Sequence, residues 1–104
     1  MSRRRLSQQE LDAFAAGSPG WAASEAVLER TYRFGSYADG VGFVAALAVV
    51  AERRDHHPDI HLGYAKVGVA WSTHDAGGTT ELDRELATET DALATRHGGA
   101  APTR

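Results

Sequence analysis

One stretch of the sequence leaves little freedom: between Ser36 and Pro58 the chain carries apolar residues at helical spacing with a capping residue at one end and a helix breaker at the other. Ser36 is the N-cap, and Asp39 falls in the first turn, where a carboxylate meets the positive end of the helix dipole. Pro58 has no amide proton and disfavours helical geometry at His57, so the spacing predicts a helix to about Arg54. Tyr37, Val41, Val44, Ala48 and Ala51 form one stripe, with Phe43, Leu47 and Val50 in a second beside it. The apolar face is broad.

Sequence on either side of this helix reads differently. From Ala26 to Phe34, Leu28, Arg30, Tyr32 and Phe34 alternate with Glu29, Thr31 and Arg33, the period of a strand, and Trp21 begins a strand before it. Beyond Pro58, Ile60 to Tyr64 and Lys66 to Thr73 read as two more strands, the second placing Val67, Val69, Trp71 and Thr73 on one face. Helices close both ends. Ser7-Gln8-Gln9-Glu10 is a capping box with Leu6 and Leu11 as a hydrophobic staple, so a helix runs to about Ala16 and stops at Gly17. Thr80 and Asp83 make another capping pair, and Leu82, Leu86, Thr90 and Leu93 give the inner stripe of a last helix reaching about His97. Gly17-Ser18-Pro19-Gly20, Gly35, Gly77-Gly78 and Gly98-Gly99 mark boundaries. The order αββαββα predicts an α+β fold of two layers, a four-stranded antiparallel sheet with helices packed on one face.

With 104 residues the chain makes one domain, spanning 1–104. The absence of cysteine removes disulfide frameworks, thiolate-bound zinc, iron–sulfur clusters and thiol nucleophiles. Eleven Lys and Arg against 14 Asp and Glu give a formal charge of −3, which argues against nucleic-acid binding through the phosphate backbone. Arg3-Arg4-Arg5 is followed by Leu6 and then polar residues, not by the apolar region of a signal peptide, and the longest apolar run, Phe43 to Ala51, is too short to span a bilayer. The expectation is a soluble cytoplasmic protein with no membrane partner.

Four of the five histidines fall between His56 and His74. His56-His57-Pro58 breaks the long helix, and at such a break neighbouring imidazoles can turn toward one cavity. His74 ends a strand and enters a Gly-rich loop that lets the backbone approach a ligand. Imidazole titrates near neutrality, so two of them can give and take a proton in one turnover. A lone histidine at a helix end often only complements the dipole, and three together weaken that reading. Zinc is the next alternative, since His57 and His61 stand four apart, but Pro58 prevents the helix that would bring such a pair to one metal. His61 faces solvent from a strand start and His97 sits in the last helical turn.

Several neighbours have two readings. Asp83 either orients a histidine or only completes the Thr80 cap, the cap alone being favoured. Glu52 and Asp55 are either carboxylates that hold an imidazole tautomer or solvated charges, and Glu52, four residues before His56, is preferred. Arg30 is better read as a snorkelling rim residue than as a substrate anchor. The acidic run from Glu81 to Asp91 reads as a solvated helix face.

Glu52-Arg53-Arg54-Asp55-His56-His57-Pro58, Tyr64-x-x-Val67 and Ser72-Thr73-His74-Asp75-Ala76-Gly77-Gly78, with Asp83 and Ala87 beyond, resemble the pterin-4a-carbinolamine dehydratases. Leu28-x-Arg30-x-Tyr32-x-Phe34 and the helix containing Phe43 extend the likeness, which covers about residues 21–91. The resemblance implies loss of water from 4a-hydroxytetrahydropterin to give quinonoid dihydropterin, in support of tetrahydrobiopterin recycling, with no metal or redox cofactor. It implies His56, His57 and His74 as the active-site histidines, with Glu52, Asp55, Pro58, Thr73 and Asp83 in support. His56 and His74 are assigned to proton transfer around the hydroxyl, and His57 to holding the pterin. A homodimer or homotetramer is implied too, which would account for the breadth of the long helix. Some relatives instead act as dimerisation cofactors of a homeodomain transcription factor, and a role in another, molybdopterin-related pathway is a third reading. Two positions depart from the pattern: Ile60 stands where many relatives have an aromatic residue, and Trp71 where they are often aliphatic, which reads as a packing substitution. Residues 1–5 and 98–104 have no counterpart and are expected to be disordered.

Overall fold

The computed structural model describes residues 4–100. Three helices, α1 (Gln8–Gly17), α2 (Tyr37–Arg54) and α3 (Glu81–Arg96), accompany four strands, β1 (Ala22–Ala23), β2 (Leu28–Arg33), β3 (Asp59–Gly63) and β4 (Lys66–Trp71). The order αββαββα is as the periodicity predicts. Between β4 and α3 lies a short 3₁₀ turn, His74–Ala76.

All neighbouring strands run antiparallel in the order β1-β2-β4-β3. In the central pair Leu28 lies opposite Trp71, Arg30 opposite Val69 and Tyr32 opposite Val67, so the alternating residues of both strands share one face. That face is covered. Leu28, Tyr32, Val67, Val69 and Trp71 are buried with Phe43, Leu47 and Ala51 of α2, Leu86, Ala87, Leu93 and Ala94 of α3, and Leu11 and Phe14 of α1. Helices therefore pack against one side of the sheet.

The two α2 stripes reach this core unequally, the first only through Ala51 and the partly buried Val44. Phe43 and Leu47 are fully buried, whereas Tyr37, Val41 and Val49 are exposed on the outer side. α2 ends because Asp55 takes a left-handed conformation (φ 50°), and its N–H and that of His56 close back on the Ala51 and Glu52 carbonyls. Asp is one of the few residues that tolerate this geometry.

The acidic run on α3 is not uniformly solvated. Asp91 accepts hydrogen bonds from the Tyr32 hydroxyl at 2.5 Å, the Trp21 indole at 3.1 Å and Arg30 Nη1 at 2.7 Å. Arg30 also lies over the Tyr32 ring, 4.6 Å from its centroid. Burial, then the Asp91 carboxylate, pushes the Tyr32 hydroxyl above the usual tyrosine range. Arg30 is thus an anchored ion-pair partner, 13% exposed, because a carboxylate on α3 reaches it.

The two ends are attached where they are described. Arg5 bridges to Thr80 and the Leu6 N–H donates to the Thr79 carbonyl at 2.9 Å, while Ala100 pairs with Arg33. Backbone bonds and Arg4 ion pairs tie residues 4, 5 and 98–100 to the fold, and the rest of the ends expected to be disordered, 1–3 and 101–104, lie outside the described residues. At α1 the capping box forms as predicted: Glu10 N–H donates to the Ser7 hydroxyl and Ser7 N–H to the Glu10 carboxylate.

The Arg4 guanidinium beside Glu10, helped by the Ser7 N–H, holds the Glu10 carboxyl at about 2, below its ordinary 4.5. A depressed carboxyl stabilises the folded state above 4.5 and loses that contribution as pH falls toward 2. Melting temperature should accordingly fall less steeply through this interval in Glu10→Gln than in wild type. Asp91→Ala should cost about 3 kcal/mol in urea denaturation, because it leaves the Tyr32, Trp21 and Arg30 donors without their acceptor.

Candidate active site

The left-handed turn at Asp55 sends the two histidines after it in different directions. His56 turns inward and is 8% exposed, packed on Trp71, whereas the His57 side chain stays 55% exposed. Each imidazole meets a different carboxylate. His56 Nε2 lies 2.7 Å from Asp83 Oδ1, and His57 Nε2 lies 2.6 Å from Glu52 Oε1. The expected alignment of Glu52 with His56 is replaced by a bond to His57, because the chain reverses at Asp55 and carries His57 back over the last helical turn.

The two pairs share a logic. An ionised carboxylate only accepts hydrogen bonds, so each Nε2 carries the hydrogen and the neutral ring keeps its Nδ1 lone pair. No described residue bonds to Nδ1 of either ring. Both histidines can therefore accept a proton at Nδ1 and give it up again while remaining held through Nε2.

Asp83 does two jobs at once. Oδ1 takes His56, and Oδ2 accepts the Thr80 N–H at 2.9 Å and the Thr73 hydroxyl at 2.7 Å. The Thr80 hydroxyl lies 2.9 Å from the Thr73 hydroxyl, completing a cluster buried below α3. The favoured reading of Asp83 as a cap alone is too narrow: the capping oxygen Oδ2 also takes Thr73 beyond β4, and the helix start leaves Oδ1 for His56 at the α2 exit.

Thr73 is both the last buried side chain of the β4 face and the residue before His74. His74 opens the 3₁₀ turn and is exposed, without a carboxylate partner among the described residues. Gly77 closes the turn in a left-handed conformation (φ 75°), and Thr73 and Gly78 bond to each other across it. A Cβ on Gly78 would fall 2.4 Å from the Glu25 carbonyl oxygen, so the His74 turn docks on the Ser24–Glu25 segment only because residue 78 has no side chain. Thr79 completes that docking, donating from its N–H to Glu25 and from its hydroxyl to Ser24.

Of the residues predicted for the site, His56, Thr73 and Asp83 are brought into one hydrogen-bonded cluster, and His57 and Glu52 into a second pair next to it in the chain. His74 follows Thr73 directly. Asp55 acts through its backbone at the helix end and makes no side-chain bond to a histidine, and Pro58 is half-buried between His57 and β3. Trp71 does more than the packing its position suggests: its indole lies parallel to the His56 ring, with centroids 5.7 Å apart and planes 8° from coincidence. Its place two residues before Thr73 on the same strand face is the sequence signal for that contact. Thr80 and Thr90 also enter, the first through Thr73 and the second by accepting the Trp71 indole N–H at 3.0 Å.

A concavity of about 840 Å³ lies elsewhere, on the uncovered face of the sheet among Glu29, Thr31, His61, Lys66 and Gly68. Of the histidines only His61 lines it. Its floor lacks the paired acid and base groups present at His56 and His57, so size alone does not locate the chemistry. Among the described residues no three metal-ligating side chains converge, and no helix is long and apolar enough to cross a membrane.

Comparison with known proteins places the chain in a family. Residues 4–93 match the family described as Pterin 4 alpha carbinolamine dehydratase. A Rhizobium leguminosarum bv. trifolii relative is 38% identical over 94% of this chain and 99% of its own, and a Streptomyces coelicolor relative is 43% identical over 94% and 98%; both are named "Putative pterin-4-alpha-carbinolamine dehydratase". Among solved structures, a Brucella melitensis protein described as a transcriptional coactivator/pterin dehydratase superposes with TM-score 0.82 at 32% identity, covering 88% of this chain and 99% of that one. Another, a pterin dehydratase-like protein described as a RuBisCO assembly factor in the alpha-carboxysome, superposes with TM-score 0.59 at 32% identity, covering 71% and 86%. The chain belongs to the pterin-4-alpha-carbinolamine dehydratase family.

Proposed function

We propose that this protein is a cytoplasmic 4a-hydroxytetrahydrobiopterin dehydratase, removing water from 4a-hydroxytetrahydropterin to give quinonoid dihydropterin by histidine acid–base chemistry, in support of tetrahydrobiopterin recycling. The observation that carries this reading is the pair of carboxylate-held imidazoles, His56 on Asp83 and His57 on Glu52, each with its Nδ1 free. In the reaction the bond from C4a to the hydroxyl oxygen breaks and the N5–H proton leaves. One group must protonate the departing oxygen and another must accept from N5. His74, with no carboxylate partner among the described residues, gives its proton to the oxygen, and His56 takes the N5 proton at Nδ1. His57, exposed and steadied by Glu52, holds the pterin. Water departs, a C4a=N5 double bond forms, and proton exchange with solvent resets the two rings. Nothing in this sequence of steps calls for electron transfer.

A homodimer or homotetramer is the proposed assembly, supported by Tyr37, Val41 and Val49, which stand 51%, 39% and 49% exposed along α2 where solvent would otherwise meet apolar surface. The same surface supports the second reading, an interaction module that acts through α2 without turnover.

Quinonoid dihydropterin formation followed with purified protein tests the chemistry. His56→Ala and His74→Ala should each lower kcat by about 10²–10⁴-fold, the usual worth of general acid–base assistance, while His57→Ala should mainly raise KM. Wild-type rates equal to buffer would remove the dehydratase reading. Val41→Glu should convert the assembly to smaller species in sedimentation velocity without loss of helical circular dichroism. An unchanged sedimentation coefficient would show that α2 is not the contact.

A further inference from the structure

We infer that Trp71 is a positioning residue for His56, holding the imidazole in one plane so that Nδ1 faces a single direction. This rests on the dehydratase reading for its catalytic meaning, and on geometry for the rest. A hydrogen bond from Nε2 to Asp83 fixes one point on the ring and still lets the ring tilt about that point. A flat partner removes the tilt. The Trp71 indole lies 8° from parallel with the imidazole, at a centroid separation of 5.7 Å, and is itself fully buried.

The indole is fixed in turn. Its Nε1 donates to Thr90 Oγ1 at 3.0 Å, and the Thr90 hydroxyl spends its single proton on the Leu86 carbonyl at 2.6 Å, so it faces Trp71 as an acceptor. Asp83, Leu86 and Thr90 all belong to α3. The nitrogen that bonds and the plane that stacks are therefore both referenced to one helix, and His56 is gripped between α3 and β4. Asp83 from α3 is the charged group bonded to it, His57 beside it in the chain is engaged with Glu52, and β4 contributes the indole.

Such a grip suits a ring that must gain and lose a proton without moving. Protonation adds charge over the indole face, an attractive arrangement, so both protonation states sit in the same place. Proton transfer is sensitive to small displacements of the reacting nitrogen, and a ring free to tilt would spend part of its time misdirected.

The test compares Trp71→Phe, which keeps a ring under His56, with Trp71→Leu, which does not. Proton–nitrogen correlation NMR reports the His56 tautomer without any substrate. Wild type and Trp71→Phe should show one Nε2–H form, and Trp71→Leu a mixture. In turnover, Trp71→Leu should lose about tenfold or more in kcat with KM nearly constant and an altered pH profile, and Trp71→Phe should restore most of it. A single tautomer together with wild-type kcat and pH profile in Trp71→Leu would overturn the inference. Should Trp71→Leu fail to fold, Thr90→Val frees the indole while keeping the core filled. A tautomer mixture with lowered kcat in that variant supports the inference, and unchanged spectra and kinetics overturn it. Wild-type protein without turnover would remove the dehydratase reading alone, and the tautomer comparison would then decide for or against the grip of Trp71 on His56.

Discussion

The Asp83 carboxylate is the interaction on which most of the structure turns. Its second oxygen starts α3 by accepting the Thr80 N–H and binds Thr73 at the end of β4, while its first holds His56 after α2. Two helices and a strand thus meet on one fully buried side chain. A buried carboxylate is costly unless every lone pair is used, and here neighbours on each side supply donors. The demand for donors explains two of the threonines at this corner, Thr73 and Thr80, both buried, while the third, Thr79, donates instead to the Ser24 segment.

Around this corner the chain builds an asymmetric site. His56 is buried, stacked and fixed, His57 is exposed and paired to a mobile class of side chain, and His74 rides on a turn docked through Gly78. Adjacent residues in sequence therefore have opposite environments, and the cause is the left-handed backbone at Asp55. A straight continuation of α2 would have placed the two imidazoles about 100° apart on one helix. The break gives one to the core and the other to the surface.

Much of this was legible beforehand. Capping pairs located the starts of α1 and α3, Pro58 limited α2, and period-2 spacing assigned the faces of β2 and β4. Local chemistry is what sequence reports well. The contacts that escaped are those made by three-dimensional convergence: Asp91 receiving Trp21, Arg30 and Tyr32, Glu52 reaching His57 in place of His56, and Trp71 lying under His56. Helical spacing suggested that Glu52 should meet the residue four positions on, and the rule failed because the helix had already ended. The Asp91 contacts were hidden by a charge pattern that looked like solvated surface. The breadth of α2 was visible, but which stripe faces the sheet was not, since both are apolar.

The pairing of β2 with β4 has a consequence for how the chain reaches this state. β3 and β4 join through a tight turn at Tyr64-Ala65 and can form early, but β2 must find β4 across the whole length of α2, with Leu28 opposite Trp71. Closing so long a loop loses chain entropy before any contact offsets it, and pairings of this kind are the slow events of folding. Trp71 and Thr73 stand at the end of that ladder. The hairpin by itself brings Trp71 beside the segment that carries His56, so the platform of the imidazole depends on local pairing, whereas the slow long-range closure of β2 on β4 completes the core behind it.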